Sequence, residues 1–410
     1  MARGRRPRTM TATTVSTQNI RRLRVDQVGS LAGPPALHAL VERNANREVS
    51  DAELTRAQDD AIRDVIRKQE QIGLPVVTDG EFRRRNFQDS FGSAVSGYAT
   101  PEDIKRAYID RQNEITKEAF ARAEQDFAAP GPAVTHRLPV RERIKLVRNV
   151  PLEEYRFAAP LTPLPVKETL VSADRISQRF AHESSKAVYK DMDAFMADVI
   201  AIEREMIGQL VAAGCRYIQI DAPGYTAYGD AVSLERMTSR GEDPGENLER
   251  AIRADNAIIA GFDDVVFGIH LCRGNPRTKD PATGKVLAQW HREGHYDAYA
   301  EKLFAELKHD RILLEYDSER AGGFAPLRFV PKGKIVVLGL VTTKDETVES
   351  AAELEKRIDE ASKHLAVDQL ALSPQCGFGG VGSFVVLPEA VQWKKFERII
   401  EVAHKVWGTT

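Results

Sequence analysis

The sequence predicts an α/β fold, namely a (β/α)8 TIM barrel that forms a single domain with long inserted βα loops. From about residue 22, short runs rich in β-branched residues alternate with long amphipathic helical patterns, which is typical of βα units around a parallel sheet. Eight strand-like runs are present, and this barrel has eight strands. The runs are residues 23–27, 74–79, 155–161, 217–221, 265–271, 312–316, 334–341 and 369–373.

Helices are predicted between these strands. Ser50 and Asp51 can cap a helix whose apolar face extends to Gln69, and two further amphipathic stretches cover residues 191–213 and 345–365. Their apolar side chains recur at helical spacing. We therefore interpret each stripe as a face packed on the core, with no cofactor bound to it.

Three stretches are longer than a minimal barrel needs. Residues 82–150 form an insertion that separates the second and third predicted strands by far more than one helix. Residues 223–250 and 273–294 follow strand ends and are rich in Gly, Pro and charged residues. Because the βα loops build the active site of this fold, we expect these loops to act as walls or lids.

The first twenty residues are not assigned to the barrel domain, which we place at residues 21–410. Residues 1–20 are rich in Arg and then in Thr and Ser, with no acidic residue and no apolar stretch. We interpret them as a disordered basic tail. An organelle transit peptide has a similar composition.

Composition narrows the classes of partner. The 58 basic and 60 acidic residues leave a formal charge of −2, so nothing favours binding to nucleic acid or to an anionic membrane. No apolar run approaches the roughly 20 residues of a spanning helix, which predicts a soluble protein. Three well-separated cysteines favour a metal site in the reducing cytoplasm over a disulfide framework. A homo-oligomer is compatible with all of these features.

Four residues at the ends of strand-like runs have the character of metal ligands. His270 and Cys272 close the run VVFGIHLC, Glu315 closes RILLEYDS, and Cys376 closes QLALSPQC. Residues two apart on a strand point the same way, so His270 and Cys272 can converge on one atom. Thiolates and an imidazole are the ligands that Zn²⁺ prefers, and a carboxylate can complete the set. The sequence therefore predicts a catalytic zinc site.

The ligand types also indicate the chemistry. Two thiolates neutralise Zn²⁺, which makes it a poor Lewis acid for carbonyl groups, but it can still bind a substrate thiol as the thiolate at neutral pH. Such a thiolate stays nucleophilic, so we expect alkyl transfer to sulfur. Glu315 would be the displaceable or supporting ligand. The third cysteine, Cys215, begins a strand and is assigned to the core.

Seven segments at or near the ends of the strand-like runs carry a recognisable series of motifs. They are GSLAGPP (29–35), VVTDGEFRR (76–84), YIQIDAPGY (217–225), GIHLCRGN (268–275), LLEYDSERAGGFAPLR (313–328), VVLGLVTTK (336–344) and LALSPQCGFGG (370–380). This series resembles the cobalamin-independent methionine synthases, from about residue 25 to the C-terminus. The resemblance is greatest to their short, single-barrel relatives, which match only the catalytic C-terminal half of the full-length enzymes and include the epoxyalkane–coenzyme M transferases.

The resemblance implies roles for individual residues. The four metal-ligand candidates take the zinc positions of the family. Gly29 and Ser30 stand where the family binds the amino-acid carboxylate, and Glu81 and Asp221 stand where its acids hold the homocysteine ammonium. Two carboxylates on separate strands can neutralise and orient one ammonium group. From the residues alone, Glu81 can equally pair with an arginine of 83–85, and Asp221 can cap a strand.

The chain departs from the full-length enzymes after two of its strands. Ala222 replaces a second acid. After the seventh strand the chain reads VTTK where the full-length enzymes have an Asp and a His, so Lys344 takes the place of a histidine that is associated with protonating the folate leaving group. Lys344 can act as an acid or an anion clamp, or it can be a solvated lysine at the start of a helix. Arg273, next to the zinc pair, is a candidate for holding a carboxylate or a sulfonate.

The sequence thus predicts a zinc-dependent thiol methyltransferase that converts homocysteine to methionine with a folate or another methyl donor. Glu81 and Asp221 favour an amino-acid thiol, because coenzyme M has no ammonium group. Two alternatives stay open. One is an alkyltransferase that acts on coenzyme M and an epoxide, and the other is a non-catalytic barrel that binds thiols.

Overall fold

A parallel β-sheet organises the chain in the computed structural model, which describes residues 16–99, 139–239, 241–273, 277–279, 286–288, 294–379 and 387–410. Its six strands follow one another around the sheet in sequence order, and each pairs in parallel with the next. They are Lys167–Val171, Tyr217–Asp221, Val266–Leu271, Arg311–Glu315, Ile335–Val341 and Leu370–Pro374.

Two N-terminal segments continue the sheet at its edges. Val25 forms a parallel bridge with Leu372, and Val77 forms one with Val166. The Gln27 side chain crosses from one segment to the other by donating to the Val76 carbonyl over 2.8 Å. Eight consecutive segments are therefore linked around the sheet, an arrangement consistent with a closed (β/α)8 barrel.

The third predicted strand is wrong. Residues 155–161 lie in the helix Val150–Ala158 and the short 3₁₀ helix that follows it, because Asn149 caps this helix by accepting from the Leu152 N–H over 3.2 Å. The strand in this place is Lys167–Val171, all of whose residues are buried. Its sequence KETLV resembles a surface segment, but its polar side chains have partners inside the sheet.

Helices cover the sheet. Ser50 caps Asp51–Gln71 as predicted, Asp191 caps Met192–Ala213, and Ser350 caps Ala351–Ser362, which begins six residues later than the sequence suggested. The remaining α-helices of the described residues are Thr17–Arg21, Pro35–Ala45, Asp89–Gly92, Val150–Ala158, Ala173–Gln178, Ala231–Ser239, Pro244–Ile259, Ala300–Glu306 and Glu389–Trp407. No helix among the described residues is long and apolar enough to cross a bilayer.

The end of the predicted tail is structured. Residues 1–15 lie outside the described residues, but Thr17–Arg21 is helical and its Ile20 is buried. Ile20 belongs to a hydrophobic cluster with Leu23, Val76, Tyr217 and Val266. The sequence did not indicate this helix, because a single apolar side chain at a chain terminus has no periodicity to detect.

The large insertion contains a two-stranded antiparallel ribbon, Val95–Tyr98 with Val140–Leu146. Residues 100–138 between these strands lie outside the described residues. A second ribbon, Arg277–Lys279 with Val286–Ala288, lies in the predicted loop 273–294. The predicted loop 223–250 contains the helices Ala231–Ser239 and the start of Pro244–Ile259.

Candidate metal centre

The four predicted metal ligands meet at the C-terminal ends of the strands. His270 is the second-to-last residue of the strand Val266–Leu271, and Cys272 comes directly after that strand. Glu315 is the last residue of the strand Arg311–Glu315, and Cys376 comes two residues after the strand Leu370–Pro374. One ligand atom from each residue lies within 4.8 Å of those of the other three. The parallel strands thus bring together residues that are 106 positions apart in sequence (270 to 376).

The spacing of the ligand atoms fits a zinc ion. The Cys272 and Cys376 sulfurs lie 3.7 Å apart. Two thiolates bound at about 2.3 Å to a tetrahedral ion would be separated by roughly 3.8 Å. The His270 Nε2 lies 3.6 Å from Glu315 Oε1 and, within the described part of the chain, this buried nitrogen has no hydrogen-bond partner.

Hydrogen bonds hold the Glu315 carboxylate in place. Arg320 Nη2 and Gln375 Nε2 donate to its Oε2 over 2.8 and 3.1 Å. The Arg273 backbone N–H donates to its Oε1 over 3.0 Å. Burial alone would raise the pKa of Glu315, but His270 and the positive charges of Lys344 and Arg320 lower it to about 2. The Glu315 carboxylate is therefore ionised, and its oxygens are held in a fixed orientation in which they can bind a metal ion.

The surroundings of two of the other ligand candidates, His270 and Cys376, favour their protonated forms. Burial lowers the pKa of His270, but the Asp221 and Glu315 carboxylates outweigh this effect and raise it to about 10. Contact with Cys272, and then burial, raise the pKa of Cys376 well above its ordinary value. Because metal ligands must be deprotonated, a bound cation would take the place of these protons.

Asp221 lies directly behind His270. Its Oδ1 is 3.6 Å from His270 Nδ1 and accepts a hydrogen bond of 2.7 Å from Gln219 Nε2. A carboxylate beside the second nitrogen of a metal-binding histidine fixes the orientation of its ring. Asp221 can therefore orient the ring of His270.

Glu81 lies close to Asp221, whose charge acts on it. Thr169 Oγ1 donates to Glu81 Oε1 over 2.6 Å, and Arg84 Nη1 lies 3.5 Å from the same oxygen. Burial raises the pKa of Glu81; Arg84 lowers it, Asp221 raises it further, and the result is about 7. Glu81 also adopts a left-handed backbone, with φ of 59°, which is uncommon outside glycine and accompanies functional sites.

Gly29 and Ser30 lie between Glu81 and the Cys376 segment. A Cβ on Gly29, which has φ of 144°, would lie 3.0 Å from Glu81 Oε1. The Ser30 carbonyl accepts from the Phe378 N–H over 2.8 Å, and its hydroxyl accepts from the Gly379 N–H over 3.3 Å. The turn that the resemblance assigns to carboxylate binding therefore borders the same group of residues.

Lys344 is paired, and it is not a solvated residue at a helix start. Its Nζ donates to Asp317 Oδ2 over 2.8 Å and its side chain is only 9% exposed, while the nearest helix begins at Ala351. The ion pair lies near the metal group, since the charge of Lys344 acts on both Glu315 and Cys376.

Several residues of the site were not identified from the sequence. Arg320 and Gln375 contact Glu315, Gln219 contacts Asp221, and Thr169 contacts Glu81. Gln375 precedes a ligand candidate, which was a usable signal. Cys215 is buried outside the group, in agreement with its assignment to the core.

Comparison with known proteins identifies the family. Residues 25–119 and 293–386 match the family of the cobalamin-independent synthase catalytic domain. The uncharacterized protein YxjG of Bacillus subtilis is 34% identical over 394 residues, which are 94% of each chain. The methionine synthase of Pyrococcus abyssi is 20% identical over 378 residues, which are 91% of each chain, and with the match to the catalytic domain it places the chain in a family of methyltransferases. The chain belongs to the cobalamin-independent methionine synthase family.

Two solved structures share the fold. One is a putative vitamin-B12-independent methionine synthase from Listeria monocytogenes, with a TM-score of 0.68, 23% identity and coverage of 94% of this chain and 98% of that one. The other is a B12-independent methionine synthase from a Shewanella species in complex with selenomethionine, with a TM-score of 0.64, 19% identity and coverage of 94% and 97%.

Proposed function

We propose that this protein is a zinc-dependent thiol methyltransferase that converts homocysteine to methionine. The observation that carries the proposal is the buried group of His270, Cys272, Glu315 and Cys376, whose ligand atoms lie within 4.8 Å of one another. These residues would hold the ion. A zinc ion bound there supplies the Lewis acidity that keeps a substrate thiol deprotonated at neutral pH.

Glu81 and Asp221 orient the amino-acid acceptor in this proposal. Both are buried carboxylates, and burial, with a smaller contribution from the Asp221 charge, raises the pKa of Glu81 to about 7. A substrate ammonium between them would relieve this repulsion, and the main chain at Gly29 and Ser30 would bind the substrate carboxylate. The Shewanella relative was solved in complex with selenomethionine, which like homocysteine carries an ammonium and a carboxylate group.

The donor is a folate or another methyl compound. Lys344 occupies the position of the family's acid histidine, and its ammonium group is already paired with Asp317. In that pair it can supply positive charge near the departing group. Because a lysine is a weaker acid than a histidine, we favour a donor whose leaving group needs little protonation.

The test is zinc-edge X-ray absorption of the zinc-loaded protein with homocysteine or with coenzyme M. We expect homocysteine to add one sulfur to the ligand shell and coenzyme M to leave it unchanged. A shift with coenzyme M alone would favour the epoxide alkyltransferase. Mass spectrometry with a panel of methyl donors completes the test, since one zinc per chain without any methylated product would indicate a thiol-binding protein.

The pKa of Glu81 predicts a pH dependence of acceptor binding. Below a pH of about 7 this carboxyl is protonated and cannot neutralise an ammonium group, so the KM for homocysteine should rise as the pH falls through 7. The Glu81→Gln protein should have a raised KM that no longer varies in this range. Steady-state kinetics between about pH 6 and pH 8.5 measures both. An unchanged slope in the variant would assign the titration to another group.

A further inference from the structure

The side chain of Arg273 is a buried cation without a counterion. Its guanidinium carbon lies 4.6 Å from the centre of the Tyr296 ring, and only 1% of the residue is exposed. Within the described residues, none of its three guanidinium nitrogens has a hydrogen-bond partner. Such a group has lost water without gaining an acceptor, which is unfavourable unless an anion completes the site.

The neighbouring protein groups do not supply that anion. The carboxylate whose charge acts on Arg273 is Glu315, and its two oxygens already accept from Arg320, Gln375 and the backbone of Arg273. This carboxylate is also one of the metal-ligand candidates. The Tyr296 hydroxyl is engaged as well, since it donates to the Glu315 carbonyl and accepts from the Glu315 N–H.

A second buried donor lies in the same surroundings. The Tyr316 hydroxyl has no hydrogen-bond partner among the described residues. The Tyr316 ring centre lies 5.1 Å from that of Tyr296 and 4.7 Å from that of Phe324. Burial raises the pKa of Tyr316, and the positive charge of Arg273 opposes this rise. The Arg273 guanidinium is therefore close enough to the Tyr316 hydroxyl for its charge to act on it. A guanidinium, a phenol and aromatic rings therefore adjoin the metal group.

We propose that Arg273 and the Tyr316 hydroxyl form a carboxylate-binding subsite that takes an anionic group of the methyl donor. A guanidinium presents parallel N–H groups that match the two oxygens of a carboxylate, and the hydroxyl can donate a further bond. The aromatic rings suit the carbon atoms next to that group.

The assignment to the donor rests on the proposed function. There the acceptor's ammonium and carboxylate are bound by Glu81, Asp221 and the turn at Gly29 and Ser30. Arg273 belongs instead to the surroundings of Glu315 and Tyr296, and it follows Cys272 directly in the chain. A donor anchored at Arg273 would therefore reach the metal group without displacing the acceptor.

The test uses acetate as the probe and acetamide as its neutral isostere, added to the zinc-loaded full-length protein at constant ionic strength. We expect acetate to raise the Tm in a saturable way and acetamide to leave it unchanged. Arg273→Met should weaken acetate binding about 10- to 100-fold, and Tyr316→Phe about 3- to 10-fold. If the methionine variant does not fold, Arg273→Lys replaces it in this test, because lysine keeps the positive charge but lacks the paired N–H groups of the guanidinium.

Two further experiments identify the kind of anion that Arg273 binds and show whether Arg273 belongs to the donor site or to the acceptor site. A larger Tm shift with methanesulfonate or phosphate than with acetate would overturn the carboxylate assignment, as would an acetate shift that persists in Arg273→Met.

Homocysteine should raise the Tm of the wild type and of Arg273→Met equally, and its effect should add to that of acetate. Competition between the two would move Arg273 to the acceptor site. If homocysteine does not bind at all, the proposed function fails while the acetate result still stands.

Discussion

The Cys376→Ser protein is expected to lose the proposed zinc binding and methyl-transfer activity while keeping its fold. A serine hydroxyl is a far weaker zinc ligand than a thiolate, and even changes to groups behind metal ligands typically cost about 10- to 100-fold in metal affinity or activity. Removing one of the two sulfurs, which lie 3.7 Å apart, should lower the affinity for zinc by at least the same factor. Metal content after dialysis and the rate of product formation measure the two losses.

The control for this substitution is Cys215→Ala. Cys215 is completely buried and lies outside the metal group, so its substitution tests loss of a cysteine without loss of a candidate ligand. We expect this variant to keep one zinc per chain and its activity. A Cys376→Ser protein that retains both zinc and activity would show that the metal site has been assigned to the wrong residues.

The second large effect is expected for stability, at the opposite end of the sheet. Lys167 and Arg311 are the first residues of their strands, and their side chains contact Asp26 over 2.8 and 3.0 Å. All three side chains are 0% exposed. Asp26→Ala would leave two buried cations without their carboxylate, and breaking a buried pair in this way typically costs about 3–5 kcal/mol.

Urea unfolding monitored by circular dichroism measures this loss of stability. Asp64→Ala is the matched control, because Asp64 forms an exposed pair with Arg67 in which the two side chains are 68% and 66% exposed. Exposed pairs contribute about 0–1 kcal/mol. If Asp26→Ala were no more destabilising than this control, the buried cluster would not be an important source of stability.

The sequence supported the prediction of the fold class and the metal-ligand set for a simple reason. Both depend on local patterns, namely β-branched runs and the chemistry of the residues that end them. His270 and Cys272 are two residues apart on one strand, so their common direction follows from strand geometry. The family resemblance pointed to the same residues, and the structure brings their ligand atoms together.

The errors arose where partners distant in sequence decide the structure. Lys167–Val171 reads as a surface segment until Asp26 and Glu81 are placed beside its polar residues. Ile20 reads as part of a disordered tail until Val76 and Tyr217 pack against it. For Lys344 the sequence left an acid, an anion clamp and a solvated lysine all open, and only the tertiary structure brings Asp317 within 2.8 Å of its ammonium group. Local sequence contains no signal for such contacts.

Sequence alone determined the type of fold, the residues able to bind a metal and the family to which they point, because strand periodicity and ligand chemistry are properties of short segments. Only the tertiary structure decided how those residues are charged and held. It placed Arg320 and Gln375 on Glu315, set Glu81 beside Asp221, and left Arg273 buried without an acceptor among the described residues. Burial and distance between remote side chains set these properties, and both arise only when the sheet assembles.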